Sequence, residues 1–426
     1  MKKRLLWIFF LLTISLTGCG KKAEQSELSQ QENETAVAST EENKTDKEYA
    51  AENSESLSVK ESAKEGAEEP PSCTIIMVGD ILLHTPVENA AKREDGTYDF
   101  SAIFENTKGD INAADLAIVN QEVIIGGEEL GVSGYPAFNA PFEIGDALVE
   151  AGFDVVCHGT NHALDKGKKG IVNCLEFWRE NYPDIGVIGI YDSEEAAEEI
   201  YVKEVNGIKI AILNYTYSTN GIEKPADMPF AVNMLTEKNK ESIIEDIKEA
   251  EEIADFTVVC PHWGVEYNTG VSADQSKWTE VFLENGVDLV LGTHPHVIEP
   301  IEIFEDEETG RQMPVYYSLG NFVNWTSGTG EGVSNRMVGG MAKICITKTD
   351  PDAEAKVKEA DVVPLVCHVE SGRDGVTVYR LEDYSQELAE KNEIINQAPD
   401  FSYDYCINLV ENIWPLYDIR AIEKNE

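Results

Sequence analysis

Between residues 74 and 297, long apolar runs alternate with stretches whose apolar residues recur at helical spacing, and this alternation constrains the fold more than any other feature of the 426-residue chain. The runs occupy 74–83, 116–125, 153–157, 187–191, 208–215, 256–260 and 288–291, and the helical stretches 100–114, 141–151, 170–181, 235–254 and 273–285. Runs without every-second-residue polarity predict strands covered on both faces. Repeated strand–helix–strand units join parallel strands through right-handed crossovers and give an α/β domain. Beyond residue 301 the texture changes. Runs at 301–304, 315–319, 341–347, 362–369 and 376–381 follow one another through short or irregular connections, which predicts antiparallel pairing. Stretches 385–397 and 405–414 read as helices packed on the outside. The expected architecture is two mixed sheets sandwiched by helices.

The N-terminus stands apart from this domain. Lys2, Lys3 and Arg4 precede an apolar run, 5–16, too short to span a bilayer with ordinary flanks. The run ends in Leu16-Thr17-Gly18-Cys19, which resembles a bacterial lipobox. Residues 1–19 are therefore expected to be a lipoprotein signal peptide, with Cys19 diacylated as the mature N-terminus and holding the protein to the extracellular face of the cell membrane. Residues 20–72 carry 14 acidic and 6 basic side chains and no Trp or Phe. Such a composition cannot bury enough apolar surface to fold, and a disordered acidic tether is expected there. The folded part is read as a main domain over 73–370, with a C-terminal strand and helices over 371–426 packed on it.

Of the chain's formal charge of −45, about −40 falls on residues 73–426. That excess excludes nucleic acid as a partner, and anionic lipid head groups repel it. An anionic substrate would need local positive charge, of which a metal cluster is one source. Seven cysteines besides Cys19 are scattered without a CxxC, mostly inside apolar runs, and read as small buried hydrophobes rather than a disulfide framework.

Five short segments place metal-ligand residue types just after strand-like runs, where an α/β sheet carries its ligand sites. Gly79-Asp80 ends the first run, and Asn120-Gln121-Glu122 puts Asn120 and Glu122 on one side of an extended chain. Thr160-Asn161-His162, Pro261-His262-Trp263-Gly264 and Thr293-His294-Pro295-His296 follow three others, the last with two imidazoles on one side of an extended segment. Singly, each is ordinary, since a lone buried histidine is more often a core residue than a ligand. Their distribution is not ordinary: four of the chain's seven histidines fall in these segments and none in a helical stretch. A mixed Asp, Glu, Asn and His set suits a divalent transition metal, Mn²⁺ foremost and Fe²⁺ or Zn²⁺ as alternatives. Six candidate ligands exceed the needs of one tetrahedral ion, whereas two ions about 3.5–4 Å apart, bridged by a carboxylate, would use them all.

The order of these segments resembles that of the calcineurin-like metallophosphoesterases, and their wording resembles the CapA family of capsule and poly-γ-glutamate synthesis proteins. Six stretches resemble that family's motifs in order: Gly79-Asp80-Ile81-Leu82-Leu83, Asn120-Gln121-Glu122, Thr160-Asn161-His162-Ala163-Leu164-Asp165, Pro261-His262-Trp263-Gly264-Val265-Glu266-Tyr267, Gly292-Thr293-His294-Pro295-His296 and Ser318-Leu319-Gly320-Asn321-Phe322. The resemblance implies a four-layer αββα sandwich and a metal centre with Asp80, Glu122, Asn161, His262, His294 and His296 as ligands, Glu122 bridging. It implies His162 as the general acid that protonates the leaving group, or else as support for a neighbouring ligand. Leu82 stands where typical phosphoesterases have a histidine, which leaves one ion or two open. Gln121 and Thr160 also depart from the family wording. His84, His158 and Glu266 are possible pocket residues.

The family resemblance thus implies a cell-surface, metal-dependent hydrolase or transferase in capsule or poly-γ-glutamate biosynthesis. The alternative is a non-catalytic, metal-stabilised lipoprotein subunit that holds polymer synthesis or export proteins together at the membrane. His162 beside a ligand favours the first, and Leu82 the second. A peptide or amide hydrolase is a third reading, because the same metal chemistry attacks a γ-glutamyl amide.

Overall fold

The computed structural model of the chain describes residues 70–306, 309–350, 353–370 and 375–415. The expected signal peptide, the lipidation site Cys19 and residues 20–69 of the expected tether lie outside these residues. The chain begins with four parallel neighbours: β1 (Ser72–Ile81), β2 (Leu116–Asn120), β3 (Val155–Cys157) and β4 (Gly186–Ile188). Their crossovers hold α1 (Thr85–Ala91), α2 (Lys108–Ala113), α3 (Glu143–Ala151) and α4 (Gly167–Asn181). A short α5 (Glu194–Glu198) leads to the second sheet.

That sheet contains β5 (Val202–Val205), β6 (Ile208–Thr216), β7 (Phe256–His262), β8 (Leu289–Leu291), β9 (Ile301–Glu305) and β10 (Gln312–Tyr316), in the order β5-β6-β7-β8-β10-β9. Helices α6 (Lys240–Ile253) and α7 (Ala273–Glu284) connect β6 to β7 and β7 to β8. The chain then returns to the first sheet through β11 (Asn321–Val323), β12 (Val338–Thr347), β13 (Lys356–Val369) and β14 (Val376–Arg380). The eight-stranded result runs β14-β13-β12-β1-β2-β3-β4, with β11 beside β1. Helices α8 (Gln386–Lys391) and α9 (Tyr403–Ile413) follow, and Cys406, Ile407 and Val410 of α9 join the main core.

Side-chain alternation shows how the layers stack. Ile208, Ile210 and Ile212 of β6 pack into the core that also contains the strands of the first sheet, while Ala211, Leu213 and Tyr215 pack with Ile243 and Ile247 of α6 and Phe282 of α7. A strand whose two faces feed two cores is buried on both sides, as its unbroken apolar run requires. The Tyr316 hydroxyl of β10 donates to the Asp361 carbonyl of β13 at 2.7 Å, joining one sheet to the other. The fold is α/β, with two mixed sheets and helices, as expected for a sandwich.

Three expectations need correction. β9–β10, β12–β13 and β13–β14 are antiparallel, but β10 pairs with β8 and β11 with β1 in parallel. Two reversals explain the first case: the chain turns back between β8 and β9 and again at the β9–β10 hairpin, so β10 arrives beside β8 in the same direction. The stretch 100–114 is not one helix but a 3₁₀ turn, Ser101–Ile103, followed by α2. The run 116–125 leaves the ladder at Asn120, because the following residues turn into the site. The seven cysteines among the described residues are free, and all but Cys345 are buried.

Candidate metal centre

Each segment of interest sits where a strand ends at the seam between the sheets. Asp80 lies near the end of β1, where its pairing with β2 shifts register, and its N–H donates to the Gly320 carbonyl at 2.9 Å. Gly79 makes this close approach possible, since a Cβ there would lie 1.9 Å from that same carbonyl oxygen. Asn120 closes β2, Asn161 and His162 occupy the turn after β3, and His262 closes β7. His294 and His296 follow β8 with φ of 101° and 60°. The segment is therefore not the extended one expected: both histidines occupy left-handed backbone that costs a non-glycine residue energy. Strain of this kind aims both rings at a common point, with centroids 5.7 Å apart.

At the centre is Glu122, fully buried. Its Oε1 lies 3.6 Å from His296 Nε2, 3.8 Å from His262 Nε2 and 3.9 Å from His162 Nε2. Asp80 Oδ2 faces His296 Nδ1 at 3.0 Å, while Asp80 Oδ1 accepts from Asn120 Nδ2 at 2.9 Å. Asn161 Oδ1 lies 3.1 Å from His262 Nε2, and the His262 and His294 rings are 4.8 Å apart. Three overlapping sets gather donor atoms within 4.8 Å of one another: Glu122, His262 and His294; Asp80, Glu122 and His296; and Glu266, His294 and His296. Asp80, Glu122, Asn161, His262, His294 and His296 are thus brought together, and Glu266 joins them as the exposed member.

The donor set fits a divalent cation. Both carboxylate oxygens of Glu122, Nδ1 of His294 and Oδ1 of Asn120 are buried without a hydrogen-bond partner among the described residues. Buried polar atoms are nearly always partnered, and an isolated buried carboxylate is among the costliest groups to leave bare. Burial, reinforced by the Asp80 charge, drives the Glu122 carboxyl well above its ordinary range against the opposing pull of His296. Burial and then the neighbouring imidazoles push His262 and His294 well down, which keeps them in the neutral form that ligates metal. Burial works against charge on His296 too, but Glu122 and Asp80 outweigh it and lift the ring to about 9.

His162 lies against this cluster, 6% exposed, with Nδ1 2.7 Å from Asp165 Oδ2 and its ring edge-on to Phe138. Asp165 carries no assigned role in the sequence reading, although its i+3 spacing from His162 permits the contact. Asn321 is similar: its Oδ1 lies 3.1 Å from His296 Nδ1. His84 stands at the rim over Phe138, held down to about 4 by burial and then by His296, His162 and Arg336. His158 is not a pocket residue. Side chains alternate along the strand, so His158 turns away from the cluster into the core under α4, where Trp178 Nε1 donates to its Nε2 at 3.2 Å and burial lowers it to about 3. Leu82 is buried in the core and offers no ligand.

The model of the family described as bacterial capsule synthesis protein PGA_cap matches residues 74–326, which takes in every segment of this cluster. The chain belongs to the PGA_cap family. Two curated relatives of this PGA_cap chain are PGA biosynthesis protein CapA of Bacillus subtilis (strain 168), 34% identical over 184 residues, 42% of this chain and 45% of that one, and capsule biosynthesis protein CapA of Bacillus anthracis, 27% identical over 267 residues, 59% and 61%. The chain therefore spans less than two thirds of the length of either relative. Among solved structures, a Staphylococcus aureus protein provisionally assigned as a 5'-nucleotidase is 16% identical with a TM-score of 0.41, covering 69% of this chain and 54% of that one. A hypothetical protein from Thermus thermophilus is 15% identical with a TM-score of 0.40, covering 68% and 98%.

Proposed function

We propose that this PGA_cap protein is a divalent-metal-dependent hydrolase or transferase that works at the cell surface in capsule or poly-γ-glutamate biosynthesis. The observation that carries the chemistry is the bare, buried Glu122 carboxylate with imidazole nitrogens of His162, His262 and His296 3.6–3.9 Å away. The names of the two Bacillus relatives support the pathway. Asp80, Glu122, Asn161, His262, His294 and His296 would hold one or two ions, Mn²⁺ foremost and Fe²⁺ or Zn²⁺ as alternatives, with Glu122 placed to bridge. When bound, such an ion polarises a phosphoryl or carbonyl oxygen and makes water nucleophilic at neutral pH. His162, held through Nδ1 by Asp165, presents Nε2 to the cluster as the proton donor for the leaving group. A lipid on Cys19 would fix the chain to the outer face of the membrane beside polymer synthesis or export proteins, with nucleic acid excluded by charge.

One observation favours a second reading. Leu82 is buried where typical phosphoesterases carry a ligand histidine, which supports a metal-stabilised, non-catalytic subunit of a polymer synthesis or export complex. Elemental analysis of the full-length chain and Asp80→Ala, combined with hydrolysis of a chromogenic phosphodiester in Mn²⁺, separates the two. Metal with activity that both fall in the variant supports the enzyme. Metal without activity supports the subunit, and absence of metal from both proteins ends both readings. A Cys19→Ser chain that still partitions into membranes would overturn the lipid anchor.

A further inference from the structure

Arg336 stands apart from the other described arginines of this acidic chain. Of the five arginines among the described residues, Arg93, Arg179, Arg311 and Arg380 each form an ion pair with a carboxylate, and Arg336 forms none with any described residue. In a chain with 79 Asp and Glu residues, a shortage of acids does not explain this. The Arg336 guanidinium instead lies over the Tyr267 ring, its carbon 3.7 Å from the ring centroid. Among the described residues its buried Nε has no partner, and Nη1 reaches only Thr326 Oγ1 at 3.5 Å, the outer limit of a hydrogen bond.

The stacked pair is fastened to the metal centre. The Tyr267 ring lies 5.9 Å from that of His296, and its N–H donates to the Pro295 carbonyl at 2.7 Å. The Asn321 amide donates to the carbonyls of both His296 and Arg336, each at 3.0 Å. The surroundings are those of a mouth. Seven large hydrophobic side chains are exposed among the described residues, and five of them (Tyr135, Tyr217, Ile222, Val265 and Tyr267) lie on the loops after β2, β6 and β7, which lead away from the cluster. An exposed apolar rim around a few convergent polar groups is the usual form of a ligand site.

We infer that Arg336 is the specificity-determining residue of this site, its guanidinium taking a carboxylate or phosphate oxyanion of the substrate beside the metal centre while Tyr267 holds the fork in plane. The inference rests on the metal-centre reading above and adds the substrate class, an anion. A planar guanidinium matches both oxyanions with paired hydrogen bonds, and stacking fixes its plane in advance. It also answers the charge problem, since an anion approaching so acidic a surface needs fixed positive charge at the point of capture.

The test is calorimetric titration of the full-length chain with inorganic phosphate and, separately, with glutarate, in Mn²⁺ and after chelation, alongside Arg336→Gln and Arg336→Lys. Arg336→Gln is expected to weaken the bound anion about 10- to 100-fold, the worth of a charge-assisted hydrogen bond. Metal content should stay unchanged, because the hydrogen bond from Asn321 goes to the backbone of residue 336. Arg336→Lys should recover only part of the affinity, having lost the fork. The anion that responds identifies the source. Equal affinity in the parent and Arg336→Gln, or no binding of either anion to the parent, overturns the inference. If the chain binds no metal, the metal-centre reading fails, and the chelated arm still decides the role of Arg336.

Discussion

His162 Nδ1 and Asp165 Oδ2 lie 2.7 Å apart within one turn of chain, and the same carboxylate oxygen accepts the Phe138 N–H at 2.7 Å. The carboxylate is thereby fixed by backbone on one side and fixes the imidazole on the other. A carboxylate at Nδ1 selects the tautomer and aims Nε2, here toward Glu122.

If His162 is the proton donor, His162→Ala should lower phosphodiester hydrolysis about 10²- to 10⁴-fold. Metal content should stay unchanged, as the ligand cluster remains. Asp165→Asn should cost less, about 10- to 100-fold, because the ring remains but is no longer aimed. Steady-state kinetics with elemental analysis of each protein checks this. Equal activity in His162→Ala and the parent chain would remove His162 from the chemistry.

Glu122→Gln separates the cost of the bare carboxylate from its use. The substitution should abolish or sharply reduce metal uptake, because it removes the central charge. It should also raise the melting midpoint of the chelated protein above that of the chelated parent. Burial drives this carboxyl well above its ordinary range in the bare protein, and a neutral isostere relieves about 1–3 kcal/mol or more of the cost of burying the acid. Metal binding by titration and melting in chelator give the two readouts, which must move in opposite directions.

Both faces of the central strands are buried, so long apolar runs in the sequence mark the layers directly. No such run marks β5, whose residues are all partly or wholly exposed, or β11, three residues long and a strand only because β1 lies beside it. The site is legible to the same degree. Asp80, Glu122, Asn161, His262, His294 and His296 lie within a few residues of strand ends, where local sequence says something about position. Arg336 lies in none of the six motif stretches, and Asn321, although in one, gains its role only because the segment that returns from the second sheet to the first carries it beside His296. His158 continues the line of β3 and His162 lies four residues on in the turn that follows, and only the direction of each side chain separates core from cluster.

Gly79 offers a test of how the site is supported. Gly79→Ala would force a methyl group into the Gly320 carbonyl, which is backbone and cannot swing aside. The substitution should destabilise the fold by about 1–3 kcal/mol, the usual cost of overpacking. Asp80 is the next residue, so metal affinity should fall along with stability. Denaturation and metal titration of the same preparation measure both effects, and an unchanged midpoint would show that β1 and the segment before β11 can separate at no cost.

Glu299 predicts how stability depends on pH. It is fully buried, accepts from Gln275 Nε2 through Oε2, and leaves Oε1 without a partner among the described residues. Burial raises its carboxyl from 4.5 to about 8, with Gln275 pulling the other way. Between those values the folded chain keeps a proton that the unfolded chain releases. Its contribution is thus complete below about 4.5, declines by about 1.4 kcal/mol per pH unit as pH rises, and levels off above about 8. Glu299→Gln keeps the shape and removes the titration. Its urea midpoint should therefore exceed that of the parent by an amount that grows from pH 5 to pH 8, with both proteins held in chelator. Some slope will remain in the variant, because burial also lifts Asp288 to about 8. Parallel stability curves for parent and variant would mean that Glu299 ionises in the folded chain without penalty.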